Sequence, residues 1–360
     1  MSAAPAHDLA SFVSSMGGER ALRVEENLGE GYVRLRVAEA ERRQAKHDVR
    51  CVEDALIELL RNARDAGAHR IFVATSREGS LRTTCVLDDG SGIPADMHER
   101  VFEARVTSKL ESVHMDRWGV HGRGMALYSI RENAVSAEVM SSGAGLGTAL
   151  RVVTDATALP ERADQSSWPV LGIDEDGEPA CVRGPHNIVR TCCEFALEAR
   201  GCEVYVGSPA EVLATARARV PLSVGPSELL GADALAALPV LERPRAAADA
   251  RDLCEVARAL GLEMSERTAH RIVSGEISPV PSVLSRLSPD RAGGRPHEVD
   301  LMRDRRGLRI ARDDLDAFSR ALERDFSLLG ERYYVSLASE PRVRVSGRRI
   351  TVTFDLEEGD

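Results

Sequence analysis

The run Glu58-Leu59-Leu60-Arg61-Asn62-Ala63-Arg64-Asp65-Ala66-Gly67-Ala68 constrains this chain more than any other stretch. Glu58 and Asn62 stand four residues apart, so a helix stacks a carboxylate and an amide on one edge, with Asp65 a further turn along. Leu59 and Ala63 fall on the adjoining side and continue an apolar stripe that begins at Val52, Ala55 and Leu56. One edge is chemical and the other is core. Gly67 stops the helix, and Ile71-Phe72-Val73-Ala74 reads as the strand that follows.

Three glycine-bearing stretches lie downstream. Val86-Leu87 runs into Asp88-Asp89-Gly90-Ser91-Gly92-Ile93-Pro94, a strand whose end turns sharply; a carboxylate there accepts from an exocyclic amine while glycine lets backbone approach a ring. Gly119-Val120-His121-Gly122-Arg123-Gly124 opens into the helical run Met125 to Ile130, an arrangement that leaves backbone N–H groups facing an anion. Gly145-Leu146-Gly147 then leads into Thr148 and an alternating strand.

In this order and spacing the four stretches resemble the GHKL superfamily of gyrase, the heat-shock chaperone ATPases, histidine kinases and MutL, over residues 46 to 155. The resemblance implies an α/β fold, an α+β two-layer sandwich of Bergerat type, that binds ATP with Mg2+. By that likeness Glu58 is the general base, Asn62 the Mg2+ ligand and Asp88 the reader of adenine N6. Gly90 and Gly92 make room for the purine, Gly122 and Gly124 cradle phosphates, and Thr148 supports the base site. Asp65, Ile93, Gly119, Arg123 and Met125 belong to the same motifs and are expected to line the nucleotide. The segment from Pro94 to Trp118 is the expected mobile lid, and within it Arg105 to Lys109 resembles the MutL lid, with Lys109 able to reach a terminal phosphate. In gyrase-like and MutL-like enzymes a lysine of the following domain touches that phosphate. Here the lysines are Lys46 and Lys109, so a later domain that completes the site must use arginine.

The 360 residues suggest two or three domains, and 43% hydrophobic with 29% charged residues place the chain among globular proteins. A net charge of −10 argues against a broadly basic nucleic-acid surface. No apolar run approaches the ~18 residues of a membrane span, and the amino terminus lacks a signal pattern, so a soluble cytoplasmic protein is expected. Seven cysteines without a C-x-x-C pair read as buried reduced thiols.

The expected organisation is an arm and lead-in helix over 1–45, with helix after Gly31, then the ATP-binding domain over 46–158 and a linker over 159–184. A small α/β module follows over 185–245, with a helix from Asn187 to Arg200, a strand from Cys202 to Val206 and a capping box at Ser208-Pro209-Ala210-Glu211. Residues 246–290 look like a helix-turn-helix, with Arg267, His270 and Arg271 on the would-be recognition helix, although Glu263, Glu266 and Glu276 oppose phosphate contact. Residues 291–360 are α/β again, with a helix from Arg312 to Phe326 and a hairpin around Ser346-Gly347-Arg348-Arg349, so the C-terminal half is mixed and partly helical.

These readings favour a Mg2+-dependent ATP-binding protein that hydrolyses ATP slowly and uses lid closure as a switch, with homodimerisation on ATP binding implied by the resemblance. A protein kinase of the same superfamily, acting on serine or histidine of a partner protein, is the first alternative. His47-Asp48-Val49-Arg50 is similar to a phosphoacceptor box, but it lies eleven residues before Glu58, too close for the two-helix hairpin that carries such a histidine. An ATP-responsive DNA-binding regulator is the second alternative.

Overall fold

The computed structural model describes residues 24–37, 39–108, 114–116, 118–121, 124–173, 179–225, 234–287 and parts of 318–358. Its first element corrects the expected lead-in helix. Strands β1 (Val24–Gly29) and β2 (Tyr32–Leu35) form an antiparallel hairpin. Gly29, Glu30 and Gly31 have φ of 84°, 51° and 81°. Three successive positive φ values turn the chain back and exclude a right-handed helix. Only then comes a short helix, α1 (Glu39–Ala45), followed by α2 (Val52–Asp65), whose residues Val52, Ala55, Leu56, Leu59, Leu60 and Ala63 are buried as the stripe requires.

Strands β3 (Arg70–Glu78) and β4 (Leu81–Asp88) pair antiparallel, the segment expected as the lid region holds the short strands β5 (Val106–Thr107) and β6 (His114–Asp116), and β7 (Gly119–His121) follows it. Pairing of β5 with β2 joins the N-terminal hairpin to the lid region. Helix α3 (Ala126–Asn133) and strands β8 (Ser136–Ser142) and β9 (Thr148–Asp155) complete the elements of the expected 46–158 domain.

The segment expected as a linker is a strap followed by a hairpin. Pro160 O accepts from Val52 N, while the buried Glu53 accepts from Arg162 N and Gln165 Nε2, so this segment satisfies groups at the start of α2. Strands β10 (Val170–Ile173) and β11 (Pro179–Arg183) then pair with each other. Helix α4 (Ile188–Glu198) starts at Asn187, whose side chain accepts from Arg190 N, and leads to β12 (Glu203–Gly207). The chain continues through α5 (Pro209–Arg219), with its capping box formed, α6 (Ala234–Ala237), α7 (Arg243–Ala246), α8 (Ala250–Ala259), α9 (Glu266–Val273) and α10 (Val283–Leu287).

Strand β12 corrects the reading of a separate module over 185–245. It pairs in parallel with β3 at the edge of a single five-stranded sheet of order β12-β3-β4-β9-β8. Both faces of that sheet are buried. Ile71, Val73, Val86, Leu150, Val204 and Val206 pack with α2 and α4. Their alternates Phe72, Ala74, Cys85, Leu87, Ala149 and Tyr205 pack with α5, α8 and α9. Two-sided burial explains why Ile71-Phe72-Val73-Ala74 is apolar throughout instead of alternating. The α/β sandwich therefore carries a further helical layer on its second face.

That layer includes the helix-turn-helix-like segment. Ala257, Leu260, Leu262, Ala269 and Ile272 face the sheet, and Cys85 Sγ donates to the carbonyl of Gly261 at the α8–α9 turn. Arg267, His270 and Arg271 are exposed. The described residues as far as Leu287 thus fall in one compact unit and those from Phe318 onward in a second. In the second, β13 (Val335–Leu337) pairs with β16 (Leu356–Glu358), and β14 (Arg342–Ser346) with β15 (Arg349–Thr353), the expected hairpin. The helix expected from Arg312 to Phe326 lies largely outside the described residues. All seven cysteines are free, and six are buried. Among the described residues no helix is long and apolar enough to cross a membrane.

Phe72 is fully buried and stacks on Tyr205 with ring centroids 4.7 Å apart. Phe72→Ala is expected to cost about 3–5 kcal/mol in denaturant unfolding. The loss should appear in one cooperative transition that includes α5, α8 and α9.

Candidate functional site

A cavity of about 1200 Å³ opens between the polar edge of α2, the end of β4, β5 and the entrance of α3. At one end lies Asp88, 4% exposed and paired in register with Thr148 across β4 and β9. Asp88 Oδ1 accepts from Gly90 N at 2.8 Å, which fixes the carboxylate at the strand end. Its neighbour Asp89 has a different task, accepting from the backbone of His69 and Arg70 to tie the end of β4 to the start of β3. Ser142 organises the facing wall. Its hydroxyl donates to Gly147 O at 2.8 Å, accepts from Ile93 N at 2.7 Å and lies 3.2 Å from Thr148 Oγ1.

The glycines here also answer to the protein itself, a constraint beyond the room for a purine expected at Gly90 and Gly92. A Cβ at Gly90 would stand 2.9 Å from both Ala66 Cβ and Asp88 Oδ1. At Gly92 it would meet Gly143 O at 1.9 Å, and at Gly147 it would meet Asp88 O at 2.1 Å; both have φ near +75°. These contacts hold the turn after β4 against the turn before β9.

The opposite end is built on α2. Glu58, Arg61, Asn62 and Asp65 follow the i, i+3, i+4, i+7 spacing of one helix face and all line the cavity. Arg61, only 3% exposed, donates from Nη1 to Glu58 Oε1 at 2.5 Å and from Nε to Asp116 Oδ2 at 2.9 Å, with a second bond from Nη2 to Asp116 Oδ1. Burial pushes the Glu58 carboxyl above the ordinary glutamate value, against the opposing pull of Arg61. Asp65 accepts from Arg64 Nε at 3.1 Å.

Asn62 Nδ2 is buried and finds no hydrogen-bond partner. Such a group costs about 1–3 kcal/mol when left unmet. A flip of the amide would present its oxygen at the same place. Among the described residues no cluster of three His, Cys, Asp or Glu side chains is poised for a metal. An amide oxygen at this place would be a donor of the kind that Mg2+ accepts beside waters and phosphate oxygens.

Where the phosphates are expected, the structure describes Gly119, Gly124 and Met125, while Lys109, Gly122 and Arg123 lie outside the described residues. Gly119 stands in β7 opposite Asp116. Gly124 has φ of +67°, and a Cβ there would press within 3.2 Å of Thr107 and of Val106 O. Arg105 lines the cavity at 8% exposure with φ of +64°; its N–H donates to Gly124 O and its carbonyl accepts from Leu35 N. A non-glycine residue in the left-handed region stores strain that the surrounding structure must hold. Here the lid strand and the hairpin do so.

Sequence reasoning gave no site role to Arg61, Asp116, Tyr32 or Ser142, and placed Arg105 only within the expected lid. Arg61 had a usable signal, since a residue three after a helical glutamate is its ion-pair partner. Tyr32, which lines the cavity and is hydrogen-bonded to Ser108, was hidden by the missed hairpin.

Residues 49–167 match the family described as histidine kinase-, DNA gyrase B- and HSP90-like ATPase. The DNA mismatch repair protein MutL of Thermus aquaticus is 44% identical over 84 residues, 23% of this chain and 15% of that protein. MutL of Acidiphilium cryptum is 42% identical over 108 residues, 30% of this chain and 18% of that protein. The matches thus span less than a fifth of these relatives. The solved structure of full-length ShkA in complex with AMPPNP covers 45% of this chain and 33% of its own at 20% identity, with a TM-score of 0.22, too slight a likeness to carry weight. The chain carries an ATP-binding domain of the GHKL superfamily.

The contact of Gly147 with Asp88 generates a prediction. Gly147→Ala should destabilise the unit by about 2 kcal/mol or more, because it combines a left-handed φ with a backbone clash. Nucleotide affinity measured by calorimetry on the folded fraction should fall, because Asp88 and Thr148 lose their alignment.

Proposed function

We propose that this protein is a Mg2+-dependent ATPase in which slow hydrolysis and movement of the lid region form a conformational switch. The observation that carries the reading is the shared edge of α2, where a desolvated carboxylate at Glu58 lies one turn from the unmet amide of Asn62. Both face a cavity whose far end is closed by Asp88 and Thr148. Asp88 accepts from the exocyclic amine of the purine, and Thr148 with Ser142 holds the polar wall beside it. Mg2+ bound with Asn62 supplies charge neutralisation at the phosphates. Glu58 orients a water and takes its proton, a task suited to a carboxylate whose proton affinity has been raised by burial. Gly124 and the entrance of α3 offer backbone donors to the terminal phosphate. ATP-dependent self-association belongs to the same reading, supported by the family likeness.

Incubation with Mg2+ and γ-labelled ATP tests this directly. Glu58→Gln should lower phosphate release by roughly 10²–10⁴-fold with nucleotide still bound. Asp88→Asn should instead weaken nucleotide binding by about tenfold or more, through loss of a charged acceptor. Because Glu58 works ionised and its carboxyl titrates above the ordinary glutamate value, turnover should fall on acidification with a midpoint above that value. Label transferred to protein, with no free phosphate, would replace hydrolysis by a kinase activity.

A further inference from the structure

Asp116 belongs to β6, inside the segment expected to act as the lid, yet its side chain is 5% exposed and faces α2. It lies between two arginines of that helix, bonded twice to Arg61 and 3.6 Å from Arg64 Nη1. Trp118 N–H donates to Asp116 Oδ1 at 3.0 Å, and the Trp118 ring centroid is 5.8 Å from the Arg61 guanidinium. Arg61 also donates to Glu58. One planar guanidinium thus spans the candidate base and the lid region. Its donors are fixed in one fork, so the two carboxylates cannot shift independently.

We propose that Arg61 and Asp116 form a clasp that seats the lid region on α2 and positions Glu58, so that the place of the lid is read at the carboxylate. The inference rests on Glu58 being the base. With the lid seated, Asp116 takes two donors of the guanidinium and Glu58 takes one. With the lid lifted, Arg61 turns its whole charge to Glu58 and draws the carboxylate away from water. Arg61 is therefore a positioning residue, and hydrolysis waits on closure.

The chain has two tryptophans, so in a Trp168→Phe background Trp118 alone reports this region. Addition of Mg2+ and a non-hydrolysable ATP analogue is expected to shift Trp118 emission. Asp116→Asn should remove that shift and lower kcat for ATP by about tenfold or more, since misplaced groups are costly in rate. Affinity for the analogue should stay within about threefold, the mark of a change confined to the chemical step. Arg61→Gln combined with Asp116→Asn leaves no unpaired charge from the clasp in the interior. This double variant should fold, lack the emission shift and turn over ATP faster than Asp116→Asn alone, because nothing draws Glu58 aside. No shift in the parent protein, a shift retained in the folded double variant, or wild-type kcat in Asp116→Asn would each overturn the clasp. Phosphate release that is absent in the parent, with the analogue bound, defeats the reading of Glu58 alone, and Trp118 emission still decides whether Arg61 and Asp116 hold the lid.

Discussion

Helix α2 is gripped on its apolar side by the sheet and by α4, through Leu56, Leu59, Leu60 and Ala63, and its other side is the wall of the cavity. Fourteen residues therefore serve as core and site at once. Burying the apolar stripe fixes the rotation of the helix about its axis, and that rotation sets where Glu58, Arg61, Asn62 and Asp65 point. The polar edge gains its character from the same packing. A carboxylate beside so much apolar surface is desolvated, and its neighbouring arginine is too buried to be a surface ion pair. The strap at Pro160 to Gln165 completes the grip by meeting the backbone at the start of the helix.

Much of this was legible because it is local. The spacing of Glu58 and Asn62, the stop at Gly67, the capping box at Ser208 and Glu211, and the hairpin through residues 342–353 each depend on neighbours within a few positions. What escaped is long-range. Tyr32-Val33-Arg34-Leu35 alternates weakly among charged residues, and only its pairing with Val106 and Thr107, some seventy positions later, makes it a strand worth forming. Nothing local in Cys202 to Val206 says that it will lie beside Ile71 to Val73. The glycine motifs were legible as glycine but not in their reason. The constraint at Gly92 and Gly147 comes from the backbone of another turn, which only the fold brings near.

The helical layer on the second face also reaches the Asp88 end of the cavity. Val240 N–H donates to Leu146 O in the turn before β9. The nearby Arg243, 6% exposed, donates to the carbonyls of Leu238 and Ala236 and to Ser141 Oγ, beside the Ser142 that braces Ile93 and Gly147. Residues from the part of the chain read as a separate module over 185–245 thus stiffen the site at second hand. No residue of that layer needs to touch a nucleotide for its loss to be felt there.

Two-sided burial separates the unit of kinship from the unit of folding. The stretch that matches the ATPase family ends at residue 167, whereas the strand that closes the sheet edge and the helices that cover Phe72, Leu87 and Tyr205 come afterwards. Cut out at its family boundary, the ATP-binding segment would present a bare apolar sheet face and an open strand edge to water, which are the surfaces through which proteins aggregate. What looks in the sequence like a domain followed by additions is, as far as Leu287, a single folded object in physical terms, its later part covering the earlier.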